Sequence, residues 1–471
     1  MSLRGGTTKQ SLNDKQRIRK NDIKFGIKMI KFIPKYTKEK NMPRRAKKLQ
    51  EIKDIFEEHE VDFTLFDNTV VLKELREKLG IITDKRHESY VKHNLLDIIM
   101  ITLLAILANA NEWLEIEHFG KTKESWLKGF LELPKGIPSD DTFRIVISSL
   151  ESNYVYNIII EFLMKKMDEI IETINGRNED TEKEIMSVDG KTSCGSGRKK
   201  TDKEAKKSLH TLNVYSSEYG FCTGQVFVDE KKNEIPAMID LLKIIDIKGS
   251  ILTWDALNTQ KDTVAEVIRK KGDYVGALKG NHHNFYQDVK DYFTEEVIKE
   301  LRNIPLKYKK TKEKEHSGIA TREYFLTNDI KWLYNKEKWA GLKAIGLEKK
   351  ILEKKNGEMI QEERLFIVSF IDIDDFSRAV REHWGVENGL HWHLDFTFKD
   401  DKNTTMAKTG AKNLQIFKKV ALALLKLVQT LYNCSLKLIR YKLSLEFDKE
   451  IEKIFKMLNI QDLGKMILAK N

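Results

Sequence analysis

Three carboxylates in this chain stand where metal-dependent chemistry could be built. Asp189 ends the apolar segment 185–189, Asp255 ends the apolar segment 249–255, and Glu387 lies in a later helical segment. An apolar strand that ends in a lone carboxylate places that group at the edge of a sheet, and neighbouring strand ends can bring two of them together. Because such a concentration of negative charge is costly, a divalent cation would be favoured there. Two cations about 3.5–4 Å apart can activate a nucleophile and stabilise the leaving oxygen in phosphodiester cleavage.

Each aspartate taken alone is better explained as a turn or capping residue, because Asp often bonds to nearby backbone amides. The three acids in this order favour the metal site, and Mg²⁺ is typically held by a few carboxylates together with water and phosphate oxygens. The nearby histidines and the cysteines do not have the spacing of zinc ligands, so we do not expect a zinc site. These residues are His383, His391, His393, Cys194 and Cys222.

The segments around the aspartates predict a sheet of mixed strand direction. From residue 184 the pattern predicts the order β-β-β-α-β-α-β-α, which is typical of an α/β fold. The predicted strands are 185–189, 209–215, 221–228, 249–255 and 273–278, and the predicted helices are 234–245, 262–271 and 282–293. Residues 300–370 look rich in strands, and residues 376–388 return to a helical pattern.

The segment before this sheet is helical throughout. Asn94 could cap an apolar helix over residues 95–108 that is buried on most sides. Ser139 is expected to cap the helix that begins with two aspartates at Asp140 and Asp141. The N-terminal region is therefore predicted to be all-α.

Charge and composition narrow the class of protein. The formal net charge is +11, but residues 1–50 hold 16 basic against three acidic side chains, so the remaining 421 residues have a net charge of −2. A basic arm of this kind could follow phosphates or could be an extension without a role. Three cysteines, no signal-like start and no apolar run of about 20 residues predict a cytoplasmic protein without membrane spans, associated with the nucleoid if the source is bacterial.

A series of motifs in fixed order resembles a known family. The segments are SVDGKTSCGS from Ser187, GSILTWDALNTQKD from Gly249, GDYVGALKGNHHNFY from Gly272 and VREHWGVENGLHWHLDFTFKDD from Val380. Together they resemble the ISAs-type insertion-sequence transposases, also called H-repeat-associated proteins, within the DDE transposase superfamily. The resemblance extends over roughly residues 65–430.

The resemblance implies an RNase H-like fold and a metal-dependent enzyme. Asp189, Asp255 and Glu387 match the catalytic and metal-binding acids of the family, which would hold two Mg²⁺ ions with Mn²⁺ as a substitute. The implied activity is cleavage of insertion-sequence ends by phosphodiester hydrolysis, followed by strand transfer. The implied partner is double-stranded DNA, as terminal inverted repeats and target, bound by a homodimer.

The same resemblance suggests a division of the chain and a set of DNA-binding residues. We expect a basic flexible tail over 1–45, a helical transposase-associated domain over 46–175, a catalytic domain over 176–430 with its strand-rich insertion at about 300–370, and a basic helical extension over 431–471. The candidate DNA-binding residues are Lys191, Lys279, Asn281, Arg381 and His383. Lys191 could equally face solvent, whereas DNA contact is favoured for Lys279 and Asn281 over the alternative of a plain turn.

Some family positions are changed in this chain. Relatives often carry Tyr, Arg and Lys around the glutamate, whereas Val380, His383 and Leu394 stand there in this sequence. His383 could contact phosphate when protonated, and Arg381 could supply the missing cation. The segment 316–322 also lacks an Arg and a Glu of the family pattern. The alternative hypothesis is therefore a decayed or recruited transposase that only binds DNA.

Overall fold

A computed structural model describes most of the chain. It covers residues 69–175, 182–197, 208–228, 233–294, 306–315, 317–403, 405, 408–432 and 434–459. Several predicted parts of the chain lie outside the described residues: the tail 1–45, the start of the helical domain up to residue 68, the basic segment 198–207 and the part of the extension after residue 459.

One nine-stranded sheet organises the protein, and it confirms a mixed α/β architecture. The strands are β1 (Ile185–Ser193), β2 (Leu209–Ser216), β3 (Cys222–Val228), β4 (Ile251–Trp254), β5 (Asp273–Leu278), β6 (Leu306–Lys314), β7 (Gly318–Thr327), β8 (Ala344–Lys354) and β9 (Met359–Val368). Their spatial order is β3-β2-β1-β4-β5-β9-β8-β7-β6. Strands β1, β4 and β5 are parallel to one another, and the other neighbours pair antiparallel.

The strand-rich segment extends this sheet. Strand β9 pairs with β5 from Val275 opposite Val368 to Leu278 opposite Leu365, and β8, β7 and β6 follow outward. The long antiparallel hairpins thus continue the sheet edge that β5 would otherwise leave open.

Helices precede the sheet in sequence, connect some of its strands and follow its last strand. They are α1 (Thr69–Leu79), α2 (Leu95–Leu107), α3 (Trp113–Thr122), α4 (Glu124–Leu127), α5 (Asp140–Ser149), α6 (Ser152–Asn175), α7 (Glu234–Ile244), α8 (Lys261–Arg269), α9 (His283–Tyr292), α10 (Ile373–Glu382), α11 (Trp392–Phe396), α12 (Lys408–Tyr432), α13 (Leu436–Leu445) and α14 (Phe447–Met457). The predicted order β-β-β-α-β-α-β-α is confirmed by β1 to α9.

Local capping follows the sequence in one helix and departs from it in another. Ser139 caps α5, since its hydroxyl accepts from the Thr142 amide at 3.3 Å. Asn94 stands at the N-cap position of α2, but its side-chain amide donates to Glu132 at 2.6 Å instead of capping the helix. Helix α2 is nonetheless buried on most sides, as its mostly apolar sequence predicts.

The N-terminal and C-terminal helices share one hydrophobic core. Apolar side chains of α1, α2, α5 and α6 pack with those of α12, α13 and α14 in a single cluster, which also includes Tyr215 and Cys222 of the sheet. The buried Tyr156 of α6 donates to the Cys222 carbonyl of β3 at 2.5 Å, which ties the helices to the sheet. Among the described helices, none combines the length and apolar character that crossing a membrane requires.

Candidate active site

The first two carboxylates lie at neighbouring positions of two parallel strands, with Asp189 inside β1 and Asp255 directly after β4. Val188 of β1 lies opposite Trp254 of β4, so Asp189 and Asp255 each stand one residue further along adjacent strands. Adjacent strands lie about 4.8 Å apart, so this register brings both carboxylates to the same edge of the sheet. The predicted proximity of the two aspartates is confirmed, but β1 continues to Ser193, so the prediction that its strand ends at Asp189 is wrong.

The third carboxylate is carried by an unusual helical turn. Glu387 begins a π-helical segment, Glu387–His391, between α10 and α11. Such π-turns recur at functional sites, because the extra residue re-aims side chains. Tyr215 of β2 packs directly on this turn: a Cβ added at Gly389 would lie 2.4 Å from the Tyr215 hydroxyl, and one at Gly385 would lie 2.9 Å from its ring. The two glycines therefore let the turn approach the sheet closely enough to present Glu387.

His391 joins two of the three acids. Its Nδ1 lies 3.0 Å from Glu387 Oε2 and 3.6 Å from Asp189 Oδ2. Potential ligand atoms of Asp189, Glu387 and His391 all lie within 4.8 Å of one another. Two residues distant in sequence are thus brought together around one imidazole.

Asp255 has a partly separate environment. Its carboxylate accepts from the Asn258 amide at 3.3 Å and from the Asn258 side chain at 3.2 Å, capping a short 3₁₀ turn. The capping role considered from the sequence is therefore present in the structure, beside the position at the strand end. This cap leaves other lone pairs of the Asp255 carboxylate available for a further partner, because an ionised carboxylate offers about four lone-pair sites.

The electrostatics show carboxylates held close together at a cost. Burial raises the pKa of Asp189, and the negative charges of Asp255 and Glu387 raise it further against the lowering effect of His391. Burial also raises the pKa of Asp255, and the charge of Glu234 acts in the same direction. The pKa of Glu387 is lowered, first by its hydrogen bond from His391. A bound cation would relieve the repulsion among these groups.

The chemistry of the donor set fits a divalent cation that prefers oxygen. Asp189 and Glu387 supply carboxylate oxygens close enough to share one ion, and Asp255 stands at the next strand end. Glu387 is partly exposed, with 54% of its side chain open to solvent, so the site can be reached from outside. Hard cations such as Mg²⁺ favour this kind of oxygen-rich, open site.

Lys191 is neither solvent-facing nor free. Its side chain is buried, and its ammonium lies 2.5 Å from Asp395 Oδ1. The interpretation of Lys191 as a solvent-facing lysine is therefore wrong. The sheet and α11 cover the lysine, and burial of a charge favours such pairing. Any contact of Lys191 with DNA would have to replace this ion pair.

Lys279 and Asn281 stand beside the loop that carries Asp255. Both are exposed, and the positive charge of Lys279 lowers the pKa of Asp255. Asn281 donates from its amide to the Ala256 carbonyl at 2.7 Å, which fixes the residue directly after Asp255. Lys279 thus places an exposed cation next to the acids.

Arg381 and His383 lie at the end of α10, on the side of the insertion. Arg381 Nε donates to Glu313 Oε2 of β6 at 2.8 Å. His383 Nδ1 lies 2.9 Å from the Thr253 hydroxyl of β4. Burial and the nearby Arg364 lower the pKa of His383 to about 4, so the ring is neutral at neutral pH. A contact between phosphate and a protonated His383, considered from the sequence, would therefore require an acidic solution.

Comparison with known proteins identifies the family. The family model described as "Transposase DDE domain" matches residues 180–424, and the model described as "DDE_Tnp_1-associated" matches residues 76–163. The chain belongs to the DDE transposase family. Within it, the curated relatives point to the H repeat-associated transposases. The resemblance inferred from the motifs is thereby confirmed.

Two curated relatives align with most of this chain. "Putative transposase YncI" of Escherichia coli O157:H7 is 33% identical over 75% of this chain and 88% of that protein. "H repeat-associated putative transposase YhhI" of Escherichia coli K12 is 32% identical over 70% of this chain and 84% of that protein. Among solved structures, a piggyBac transposase synaptic complex with hairpin DNA aligns with 12% identity over 89% of this chain and 80% of that chain. Its TM-score of 0.30 supports no conclusion about this transposase.

Sequence reasoning missed two features of this site. His391 was considered only as a zinc ligand, although its spacing of four residues after Glu387 places both side chains on one helix face. A buried pair, His210 and Glu234, lies behind Gly190, with its side chains 2.8 Å apart. A Cβ at Gly190 would lie 3.0 Å from Glu234, so the glycine after Asp189 leaves room for this pair. The pair joins β2 to α7, and no local sequence pattern links those segments.

Proposed function

We propose that this family member is an active, metal-dependent DDE transposase. It would hydrolyse the phosphodiester at the ends of its insertion sequence and join the freed ends to target DNA. One observation supports the proposal best. Carboxylate oxygens of Asp189 and Glu387 lie within 4.8 Å of each other, and Asp255 directly follows the strand that pairs with β1.

The fold assignment forms part of the same proposal. The five strands β3-β2-β1-β4-β5, with the first three antiparallel and the last three parallel, would form an RNase H-like core, and this strand order supports that assignment. The hairpins β6–β9 would then be the insertion that separates the second aspartate from the glutamate. The division into a tail, a helical domain, a catalytic domain and an extension stays a prediction. The helices that precede the sheet in sequence and the helices that follow it share one hydrophobic core.

The carboxylates of this chain would bind and orient the reacting groups. Asp189, Asp255 and Glu387 would hold two Mg²⁺ ions, which when bound would polarise the attacking oxygen and stabilise the leaving oxygen. In hydrolysis, water oxygen forms a bond to phosphorus, the bond to the 3′ oxygen breaks, and the freed strand ends in a 3′-hydroxyl. In joining, that hydroxyl oxygen attacks a target phosphodiester and displaces the target 3′ oxygen. Each step releases one proton and takes up one, so no side chain has to be modified covalently.

DNA would approach from the exposed side of these acids. Lys279 is the best supported contact, because it is exposed and its charge acts on Asp255. Arg381, His383, Asn281 and Lys191 stay candidate contacts, with the partners described above. Two ends must be joined in one reaction, so we propose that a homodimer assembles on the DNA.

The proposal is tested by cleavage of end-labelled duplexes. Purified protein is incubated with a duplex from the end of the element that carries its gene, with and without Mg²⁺. We expect Mg²⁺-dependent nicks at the element boundary, and their loss in Asp189→Asn, Asp255→Asn and Glu387→Gln. Asp240→Asn is the matched control, because Asp240 is exposed on α7 and pairs only with Lys243 among the interactions described. Unchanged nicking by the first three variants would refute the site.

The same experiment decides between catalysis and binding alone. The alternative, a DNA-binding protein without catalysis, predicts a duplex that is bound but never nicked at any Mg²⁺ concentration. Binding measured at several salt concentrations would then show the steep salt dependence of phosphate contacts, without products. Boundary-specific nicks followed by joined products would exclude this alternative, since binding alone makes neither.

A further inference from the structure

A chain of hydrogen bonds reaches His391 from the buried side of the sheet. Lys419 of α12 is buried, and its ammonium donates to Asn213 Oδ1 of β2 at 2.5 Å and to Gln225 Oε1 of β3 at 2.5 Å. Asn213 is itself fully buried and stands opposite Asp189 in the β1–β2 ladder. These hydrogen bonds therefore connect α12, through Asn213 of β2, to the back of the carboxylate site.

The partners of Asn213 fix which way its amide points. An ammonium has only donors, so the atom that meets Lys419 must be the carbonyl oxygen. The amide nitrogen then donates to the Thr211 carbonyl at 3.1 Å, a contact that agrees with the same orientation. The remaining hydrogen of that nitrogen faces His391 Nε2 at 3.5 Å. Two independent partners thus leave Asn213 as a donor toward the imidazole.

This orientation determines the tautomer of His391. A neutral imidazole has one N–H and one acceptor nitrogen, so an Nε2 that receives a hydrogen bond leaves the proton on Nδ1. That N–H points at Glu387 Oε2 at 3.0 Å, with Asp189 Oδ2 at 3.6 Å. An Nδ1 that carries a proton has no lone pair for a metal ion, although its position alone would allow ligation.

We propose that His391 is a positioning residue, held by Lys419 and Asn213 as the Nδ1–H tautomer, which donates to Glu387 and does not ligate the metal. The role in catalysis rests on the proposed transposase function, because Glu387 is the acid that His391 orients. Outer partners of this kind fix the orientation of ligating groups in metal sites. The set of metal ligands is then Asp189, Asp255 and Glu387, with His391 beside them.

The tautomer is measured directly in protein without DNA. Ring-¹⁵N-histidine is incorporated, and two-bond nitrogen–proton correlations are recorded with and without Mg²⁺, with the His391 signals assigned by their loss in His391→Gln. We expect a protonated Nδ1 and an unprotonated Nε2 in both conditions. An unprotonated Nδ1, or loss of the Nδ1 proton when Mg²⁺ is added, would overturn the inference.

Two matched variants test the proposed series of hydrogen bonds from Lys419 through Asn213 to His391. Asn213→Asp replaces the donor toward Nε2 with a carboxylate that keeps the bond to Lys419, so we expect Nε2 to become protonated. Gln225→Glu makes the same amide-to-acid change on the other partner of Lys419 and should leave the His391 tautomer unchanged. A tautomer that stays the same in Asn213→Asp would show that Asn213 does not set it.

The activity readout separates this inference from the proposed function. We expect nicking by Asn213→Asp to fall about 10-fold or more, as for other residues that orient metal ligands. A wild-type protein that shows the Nδ1–H pattern but never nicks DNA would contradict the proposed function alone. A reversed tautomer in a protein that nicks normally would contradict the inference alone.

Discussion

Replacing Gly389 by alanine tests how Glu387 is placed, since the π-helical turn rests on Tyr215. A Cβ at this position would lie 2.4 Å from the Tyr215 hydroxyl and 2.7 Å from its ring. Tyr215 is buried in β2, so it cannot swing freely into solvent. The added methyl group must therefore move the turn, the tyrosine ring or both.

The size of the displacement follows from ordinary contact distances. Carbon atoms in contact lie about 3.5 Å apart, so the methyl group needs about 1 Å of extra room. If the turn moves, Glu387 moves with it, and a misplacement of about 1 Å can lower a rate roughly 100-fold. Overpacking itself costs about 1–3 kcal/mol of folding free energy, which the higher helix propensity of alanine offsets by at most about 1 kcal/mol.

The assay compares Gly389→Ala with Gly224→Ala. A Cβ at Gly224 would lie 2.5 Å from Ile245 on the other side of β3, so this control has a similar clash away from the acids. We expect similar losses of free energy of unfolding in urea for the two variants, and a roughly 100-fold slower nicking rate only for Gly389→Ala. Wild-type nicking by folded Gly389→Ala would refute the claim that this contact positions Glu387.

Three further outcomes are expected. In the folded protein the pKa of His383 is lowered from 6.5 to about 4, so unfolded chains take up a proton first as the pH falls. The free energy of unfolding therefore decreases from pH 6.5 toward pH 4. Urea unfolding at pH 7 and pH 5 should show a smaller loss of this free energy in His383→Gln than in wild type. Tyr156→Phe leaves the buried Cys222 carbonyl without its donor and should cost about 1–3 kcal/mol in urea unfolding, whereas an unchanged midpoint would contradict this bond. EDTA should abolish nicking and Mg²⁺ in excess should restore it, whereas nicking that persists in EDTA would exclude a divalent cation.

The sheet around the aspartates could be predicted because its signals are local. Apolar segments of strand length end at Asp189 and Asp255, and the alternation with helices predicts parallel neighbours. In the structure Val188 and Trp254 are paired, so the two acids are neighbours, although β1 continues past Asp189 to Ser193. The pattern also predicted strands in the segment 300–370, but it could not show that β9 pairs with β5, since such pairing depends on partners distant in sequence.

The surroundings of the site could not be predicted for the same reason. Lys191 looked like a residue on an open strand end, whereas α11 covers it and supplies Asp395. Lys419 interrupts an apolar helical pattern and would be expected at the surface, yet it is buried against polar side chains of β2 and β3. Burial raises the cost of its charge and lowers its pKa to about 8, an effect that depends on packing between segments.

The proposed site requires that Asp189, Asp255 and Glu387 bind the metal together. It is tested most directly by loading the protein with Fe²⁺ in place of Mg²⁺ and adding ascorbate and peroxide, so that hydroxyl radicals cut the backbone near the bound ion. Carboxylate sites that accept Mg²⁺ also bind Fe²⁺. We predict cuts close to all three residues, suppressed by excess Mg²⁺ and lost in Glu387→Gln. Cuts confined to other segments, or unaffected by Mg²⁺, would contradict the proposed site.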